Sequence, residues 1–273
     1  MTIVLTNPII LIGAGNMGGA MALGWIKAGV PADKIIAIDP NASGPMQSRL
    51  VDAGVTVVAE LPENVTASVL FVAVKPQMLD AVLPSYRSAV GAETVVVSVV
   101  AGKTISSFQS HLGPVPMVRT IPNTPAMVGR GITGAFASAG VDAARRTLVD
   151  TLLKVTGPVE WVDDEALIDA VTAVSGSGPA YVFYLVECMA EAGRKLGLPA
   201  DLAMRLARAT VSGAGELLHQ SPDDAAQLRK NVTSPAGTTA AALAVLMAED
   251  NGIQPVFDKA IAAARTRAQE LAS

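Results

Sequence analysis

The stretch Ile9-Ile10-Leu11-Ile12-Gly13-Ala14-Gly15-Asn16-Met17-Gly18 decides the architecture of the first half of the chain. Four consecutive apolar residues ended by glycine read as a strand buried on both faces of a parallel sheet. The glycines that follow match G-x-G-x-x-G between a strand and a helix. In that setting Gly13 makes the tight turn, Gly15 lets a pyrophosphate approach the backbone, and Gly18 packs helix on strand. Asn16 and Met17 open the helix, whose unpaired amides and dipole favour anions. Asp39 ends the next apolar run, about 20 residues further on, where a carboxylate accepts hydrogen bonds from ribose hydroxyls. Gly13, Gly15, Asn16, Met17, Gly18 and Asp39 are therefore the expected contacts of a nicotinamide dinucleotide. A carboxylate at 39 repels a 2'-phosphate and favours NADH, while the turn of Pro40, Asn41, Ser43 and Gly44 leaves reception of a phosphate, and hence NADPH, open.

Working outward, further apolar runs at residues 34–39, 55–58, 69–74, 94–100 and 117–119 read as strands, with a helix over 17–29 ending at a glycine. Strands alternating with helices predict an α/β, Rossmann-type, doubly wound sheet. Such sheets bind ligands at the carboxyl ends of their strands. Lys75-Pro76 follows one strand there and Ala101-Gly102 another, which makes all four candidate cofactor contacts. Asn123 lies between two prolines in a stiff turn after a third strand, where it either faces a cofactor or serves turn chemistry alone.

Past residue 160 the β-branched runs give way to Ala- and Leu-rich stretches with helical spacing, so residues 1–160 and 161–273 are expected to form two domains. Helices are predicted near 163–174 and over 179–196, 200–219, 223–230, 238–249 and 254–271. This all-helical half is rich in alanine and poor in charge, which predicts dimerisation through it.

Composition narrows the partners. The chain of 273 residues is 51% hydrophobic and 16% charged, so much apolar surface has to be covered, and a net charge of −4 argues against nucleic acid. The first charged residue is Lys27, but a basic leader segment is missing and the early stretch is interrupted by Asn7-Pro8 and glycines, which reads against a membrane span. One cysteine, Cys188, excludes an intramolecular disulfide and fits a reducing, cytoplasmic compartment; it is expected to be a small buried hydrophobe. His111 and His219 lack acidic neighbours at ligand spacing, so no metal site is expected.

Two stretches break the helical pattern: Ser175-Gly176-Ser177-Gly178-Pro179-Ala180-Tyr181, and Asn231-Val232-Thr233-Ser234-Pro235-Ala236-Gly237-Thr238-Thr239. Ser, Thr and Pro favour helix starts. The density of hydroxyls and free amides in the second goes further, since such a helix start suits a carboxylate.

With these motifs, together with Val74-Lys75-Pro76 and Asn123-Thr124-Pro125, the whole chain resembles the pyrroline-5-carboxylate reductase family. The resemblance implies reduction of L-1-pyrroline-5-carboxylate to L-proline by NADPH or NADH. It also implies a homodimer whose helical domains interlock and complete the active site, or a larger assembly of dimers. By motif, Asn231, Ser234, Gly237, Thr238 and Thr239 line the substrate pocket, amides of the 234–238 turn hold the carboxylate, and Thr239 is the catalytic contact to the ring nitrogen. A protonated cyclic imine is already a good hydride acceptor, which agrees with candidate pockets whose centres hold no His, Asp, Glu or Lys. Two other readings stay open: a 3-hydroxyacid dehydrogenase of the phosphogluconate dehydrogenase type, although residues 179–191 contain no Lys, and a non-catalytic nucleotide-binding sensor or scaffold.

Overall fold

The structure is a computed structural model that describes Ile3, residues 5–40 and residues 44–272. It divides into two compact units, Met1–Gly176 with Ala264–Ser273, and Ser177–Ala263. The boundary expected at 160/161 falls inside a strand, and the units divide instead at Gly176/Ser177.

The first unit is built on an eight-stranded sheet: β1 (Ile9–Ile12), β2 (Ile35–Ile38), β3 (Thr56–Val58), β4 (Val69–Val72), β5 (Val95–Ser98), β6 (Met117–Pro122), β7 (Thr133–Ala137) and β8 (Val159–Trp161), in the order β3-β2-β1-β4-β5-β6-β7-β8. β1 to β6 are mutually parallel; β7 runs antiparallel to β6, and β8 parallel to β7. The first six match the runs read from the sequence, and the last two extend the sheet beyond it.

Alternation along the central strands divides the core. Ile9, Leu11, Phe71 and Val97 face one side, against Met21, Ala22 and Trp25 of α1 (Asn16–Lys27), Leu50 of α2 (Pro45–Asp52), and Val149 and Leu152 of α5 (Ala143–Leu153). Ile10, Ile12, Leu70 and Val96 face the other, against Leu79 of α3 (Leu79–Val82), Leu83 and Tyr86 of the 3-10 turns that follow, and Phe108 and Leu112 of α4 (Ile105–Leu112). Both faces are covered, which is why the strands are apolar throughout rather than alternating with polar residues. Trp25 anchors one side: its ring meets Phe71 edge-on at 5.0 Å, and its Nε1 donates to the Leu152 carbonyl at 2.9 Å. The unit closes with α6 (Leu167–Val171), which runs into a π-helical turn at Thr172–Gly176.

The second unit is helical: α7 (Gly178–Lys195), α8 (Ala200–Gln220), α9 (Ala225–Asn231), α10 (Thr238–Leu246) and the start of α11 (Ile253–Ala272), whose residues from 264 onward belong with the first unit. Gly197, at φ +97, ends the α7 hairpin, as a residue in the left-handed region should. Cys188 is exposed on α7 rather than buried. It lies on a helix whose Val182, Phe183, Tyr184, Leu185 and Met189 are exposed as well, so its neighbourhood is apolar but uncovered. Among the described residues no helix is long and apolar enough to cross a membrane.

Candidate functional site

In the first unit the strand order reverses between β1 and β4, and the glycine loop sits at the carboxyl end of that switch point. Gly13 has φ +93, and a side chain there would lie 2.7 Å from the Ala73 carbonyl oxygen. A side chain at Gly18 would lie 2.1 Å from the Gly13 carbonyl oxygen, so the helix can press on the strand only because none is present. At Gly15 the added atom would meet nothing within 4 Å. The space in front of the second glycine is thus open, on the side where α1 starts without any side-chain cap on its amides. A pyrophosphate fits this cradle by shape and by the dipole behind it.

Asp39 follows β2, half-buried, and its Oδ2 accepts the backbone N–H of Ala14 at 3.0 Å. The carboxylate therefore braces the glycine loop as well as standing where the ribose hydroxyls are expected. Asn41 and Ser43 of the neighbouring turn lie outside the described residues.

Lys75 is exposed after β4, and Pro76 opens the 3-10 turn that follows. Ala101 and Gly102 follow β5, the latter buried at φ +71, and a side chain on Gly102 would lie 2.8 Å from Cβ of Leu271 near the end of α11. Lys103, the next residue, donates to Asp80 Oδ2 at 3.2 Å, and His111 Nε2 lies 3.1 Å from Asp80 Oδ1. The His111 ring and then the Lys103 ammonium hold the Asp80 carboxyl below its ordinary range. Asn123 donates from Nδ2 to Ser175 Oγ at 3.3 Å, and its Oδ1 accepts the Ile132 N–H at 3.0 Å. Its amide thus ties the turn after β6 to the π-helical turn.

In the second unit, Asn231 ends α9 and Thr238 and Thr239 begin α10, with Gly237 as N-cap. Asn231 accepts from Gln227 at 2.7 Å and donates to Asp223 at 3.4 Å, which fastens the end of α9 to its start. The turn closes by a Gly237 N–H to Ser234 carbonyl bond of 3.1 Å. Ala236 stands at φ +56, a left-handed conformation costly for a residue with a side chain; among the described residues Asn64 is the one other such case. No side chain caps the first amides of α10. Gly237 has ordinary extended torsions, yet a side chain on it would lie 2.3 Å from Ser234 Oγ, so its smallness serves to seat that hydroxyl. The turn therefore presents hydroxyls and uncapped amides from one short segment, which suits a small carboxylate.

Sequence reasoning missed one polar cluster in the first unit, formed by Arg119 on β6 with Glu165 and Asp169. The signal was an arginine inside the apolar run Met117-Val118-Arg119-Thr120-Ile121, where a lone charge needs partners. Among the described residues no group of three or more His, Cys, Asp or Glu is placed to hold a metal ion.

Comparison with known proteins agrees with this layout. A family model described as pyrroline-5-carboxylate reductase dimerisation matches residues 165–271, and one described as NADP oxidoreductase, coenzyme F420-dependent, matches residues 8–102. The pyrroline-5-carboxylate reductase of Pseudomonas aeruginosa is 42% identical over 98% of this chain and 97% of its own length. Human pyrroline-5-carboxylate reductase 2 is 38% identical over 96% of this chain and 83% of its own. Among solved structures, the enzyme from Coxiella burnetii superposes with a TM-score of 0.88 at 34% identity, covering 98% of this chain and 99% of that one. The Plasmodium falciparum pyrroline carboxylate reductase, solved with NADP bound, superposes at 0.80 with 25% identity, covering 99% and 100%. Identity of this level along nearly the full length of both chains means that the chain belongs to the pyrroline-5-carboxylate reductase family.

Proposed function

We propose that the chain reduces L-1-pyrroline-5-carboxylate to L-proline with NADH or NADPH, the last step of proline biosynthesis, as a homodimer or a larger assembly of dimers. The observation that carries the reading is the 234–239 turn, an uncapped helix start with a seated hydroxyl and a strained centre, in a chain that also holds the open glycine cradle. In this reading Gly13, Gly15, Asn16, Met17, Gly18, Asp39, Lys75, Pro76, Ala101, Gly102 and Asn123 contact the dinucleotide. Bound there, NAD(P)H supplies the hydride. Ser234 and the amides of the turn through Thr238 hold the substrate carboxylate, and Gly237 keeps the Ser234 hydroxyl in place. Asn231 fixes the base of the turn. The Thr239 hydroxyl hydrogen-bonds the ring nitrogen, orienting the imine so that its C=N carbon, carbon 2 of the pyrroline ring, accepts the hydride while the nitrogen carries the proton.

The residues have little acid–base work, because the protonated imine is electrophilic already; their contribution is orientation and exclusion of water. The brace from Asp39 to Ala14 supports NADH as the better cofactor, since the carboxylate stands against a 2'-phosphate. Dimerisation is supported by exposed side chains such as Phe183, Tyr184, Leu196 and Val245 on the helical unit. An apolar groove of about 350 Å³ lined by Ile132, Val162, Leu167, Val171 and Val174 in the first unit adds to it. A single cysteine, leaving no intramolecular disulfide, supports a cytoplasmic location.

The hydroxyacid dehydrogenase alternative needs a lysine early in α7, whereas Lys195 is that helix's last residue and pairs with Glu191. The test is steady-state assay of the full chain with pyrroline-5-carboxylate and each reduced nicotinamide. Cofactor oxidation matched by proline formation is expected, and no oxidation with either cofactor would remove the reading.

A further inference from the structure

Arg119 is 2% exposed, set in β6 among buried Met117, Val118 and Ile121. Its Nη1 donates to Glu165 Oε1 at 3.2 Å and its Nη2 to Asp169 Oδ1 at 3.1 Å, while its Nε is buried without a partner. The same Glu165 oxygen accepts the backbone N–H of Ile105, the first residue of α4, at 2.8 Å. Buried ion clusters of this kind are commonly no more stable than apolar residues filling the same volume. What this cluster does fix is geometry. Ile105 follows the Ala101–Gly102 loop by three residues, Arg119 precedes the Asn123 turn by four, and Asp169 leads through the π-helical turn to Ser175, which holds Asn123.

We propose that Arg119 and Glu165 are positioning residues that set the Ala101–Gly102 loop and the Asn123 turn for the dinucleotide. This rests on the reductase reading above. Glu165 pins the loop through the Ile105 amide, Arg119 pins Glu165, and Asp169 keeps the guanidinium from turning away. A side-chain network of this type acts on cofactor affinity, leaving the hydride-transfer step itself to the residues that touch the substrate.

The test compares the full-length wild type with Glu165→Gln and with the apolar triple replacement Arg119→Met, Glu165→Leu, Asp169→Leu. Readouts are thermal unfolding, hydrogen exchange at the Ile105 amide, the Kd for NADH and NADPH by calorimetry, and KM against kcat. The triple variant is expected to fold with a melting temperature at or above that of wild type, to exchange the Ile105 amide faster, and to raise dinucleotide Kd and KM about tenfold with kcat little changed. Glu165→Gln, which keeps an acceptor for Ile105, is expected to show a smaller rise of the same kind. Unchanged Kd with a deprotected Ile105 amide would make the cluster purely structural and overturn the proposal. If the triple variant does not fold, the same readouts on Glu165→Gln decide. If wild type binds dinucleotide yet does not reduce the imine, the reductase reading fails, while the Kd comparison still judges this one.

Discussion

Replacing Gly237 by alanine isolates one hydroxyl without touching it. The added methyl carbon would stand 2.3 Å from Ser234 Oγ, 3.2 Å from the Ser234 carbonyl oxygen and 3.6 Å from Ser234 Cβ, so rotating the serine side chain relieves the main clash and the backbone has to give by only a few tenths of an ångström. The torsions of Gly237 are open to alanine, and the cost to the fold is that of a poorer N-cap, about 1 kcal/mol. That corresponds to about 2–4 °C in melting temperature for a chain of this class. The cost to the proposed site is larger: displacing a hydroxyl that donates to a carboxylate forfeits about 1.5–3 kcal/mol, roughly 10- to 100-fold in substrate affinity. Steady-state assays with pyrroline-5-carboxylate should thus show KM for the imine rising by that factor, with KM for the dinucleotide unchanged. The decisive comparison is a double-mutant cycle with Ser234→Ala. Once the hydroxyl is gone, Gly237→Ala should have little further effect on KM. Fully additive losses would mean that the glycine and the serine act independently, and the reasoning that links them would be wrong.

Asp39→Ser should shift preference from NADH toward NADPH, changing the ratio of the two kcat/KM values by about tenfold or more, because a like charge no longer faces the 2'-phosphate; an unchanged ratio would remove Asp39 from cofactor choice. Gly18→Ala would bring a side chain 2.1 Å from the Gly13 carbonyl oxygen. A Cβ against a backbone oxygen cannot be relieved by a rotamer, so stability should fall by at least the upper end of about 1–3 kcal/mol together with loss of dinucleotide binding, read by thermal unfolding and calorimetry. Asp80→Asn should lower stability slightly at neutral pH. Since the folded chain holds the Asp80 carboxyl below its ordinary 3.8, the contribution is present above that value and disappears as the pH falls through the lowered one. The difference in melting temperature between variant and wild type should close in acid and shrink with added salt, as befits an exposed group.

The parallel core was legible because it announces itself locally: Ile9–Ile12, Val69–Val72 and Val95–Ser98 are apolar runs that sheet burial on both faces demands. β7 and β8 were not. Thr133–Ala137 contains Gly134 and two alanines, β8 spans three residues, and each is held by the strand beside it, β7 by β6 and β8 by β7, rather than by its own composition. The glycine loop was readable at the level of single residues, whereas the brace from Asp39 to Ala14 spans 25 positions and depends on how β1 and β2 align. Arg119 lies 46 and 50 positions from its two acids, so no local pattern could pair them. The π-helical turn at Thr172–Gly176 was signalled only as an excess of glycine and serine, residues that fit many kinds of helix start.

The last turns of α11 pack with the sheet unit, and Leu271 covers Gly102. A chain emerging from the ribosome completes most of its first fold once residue 176 is free, yet that fold lacks one piece until some ninety further residues, all of the helical unit, have been made. The nascent sheet must wait for the final helix, so a stalled or clipped chain would leave Gly102, at the carboxyl end of β5, without its cover.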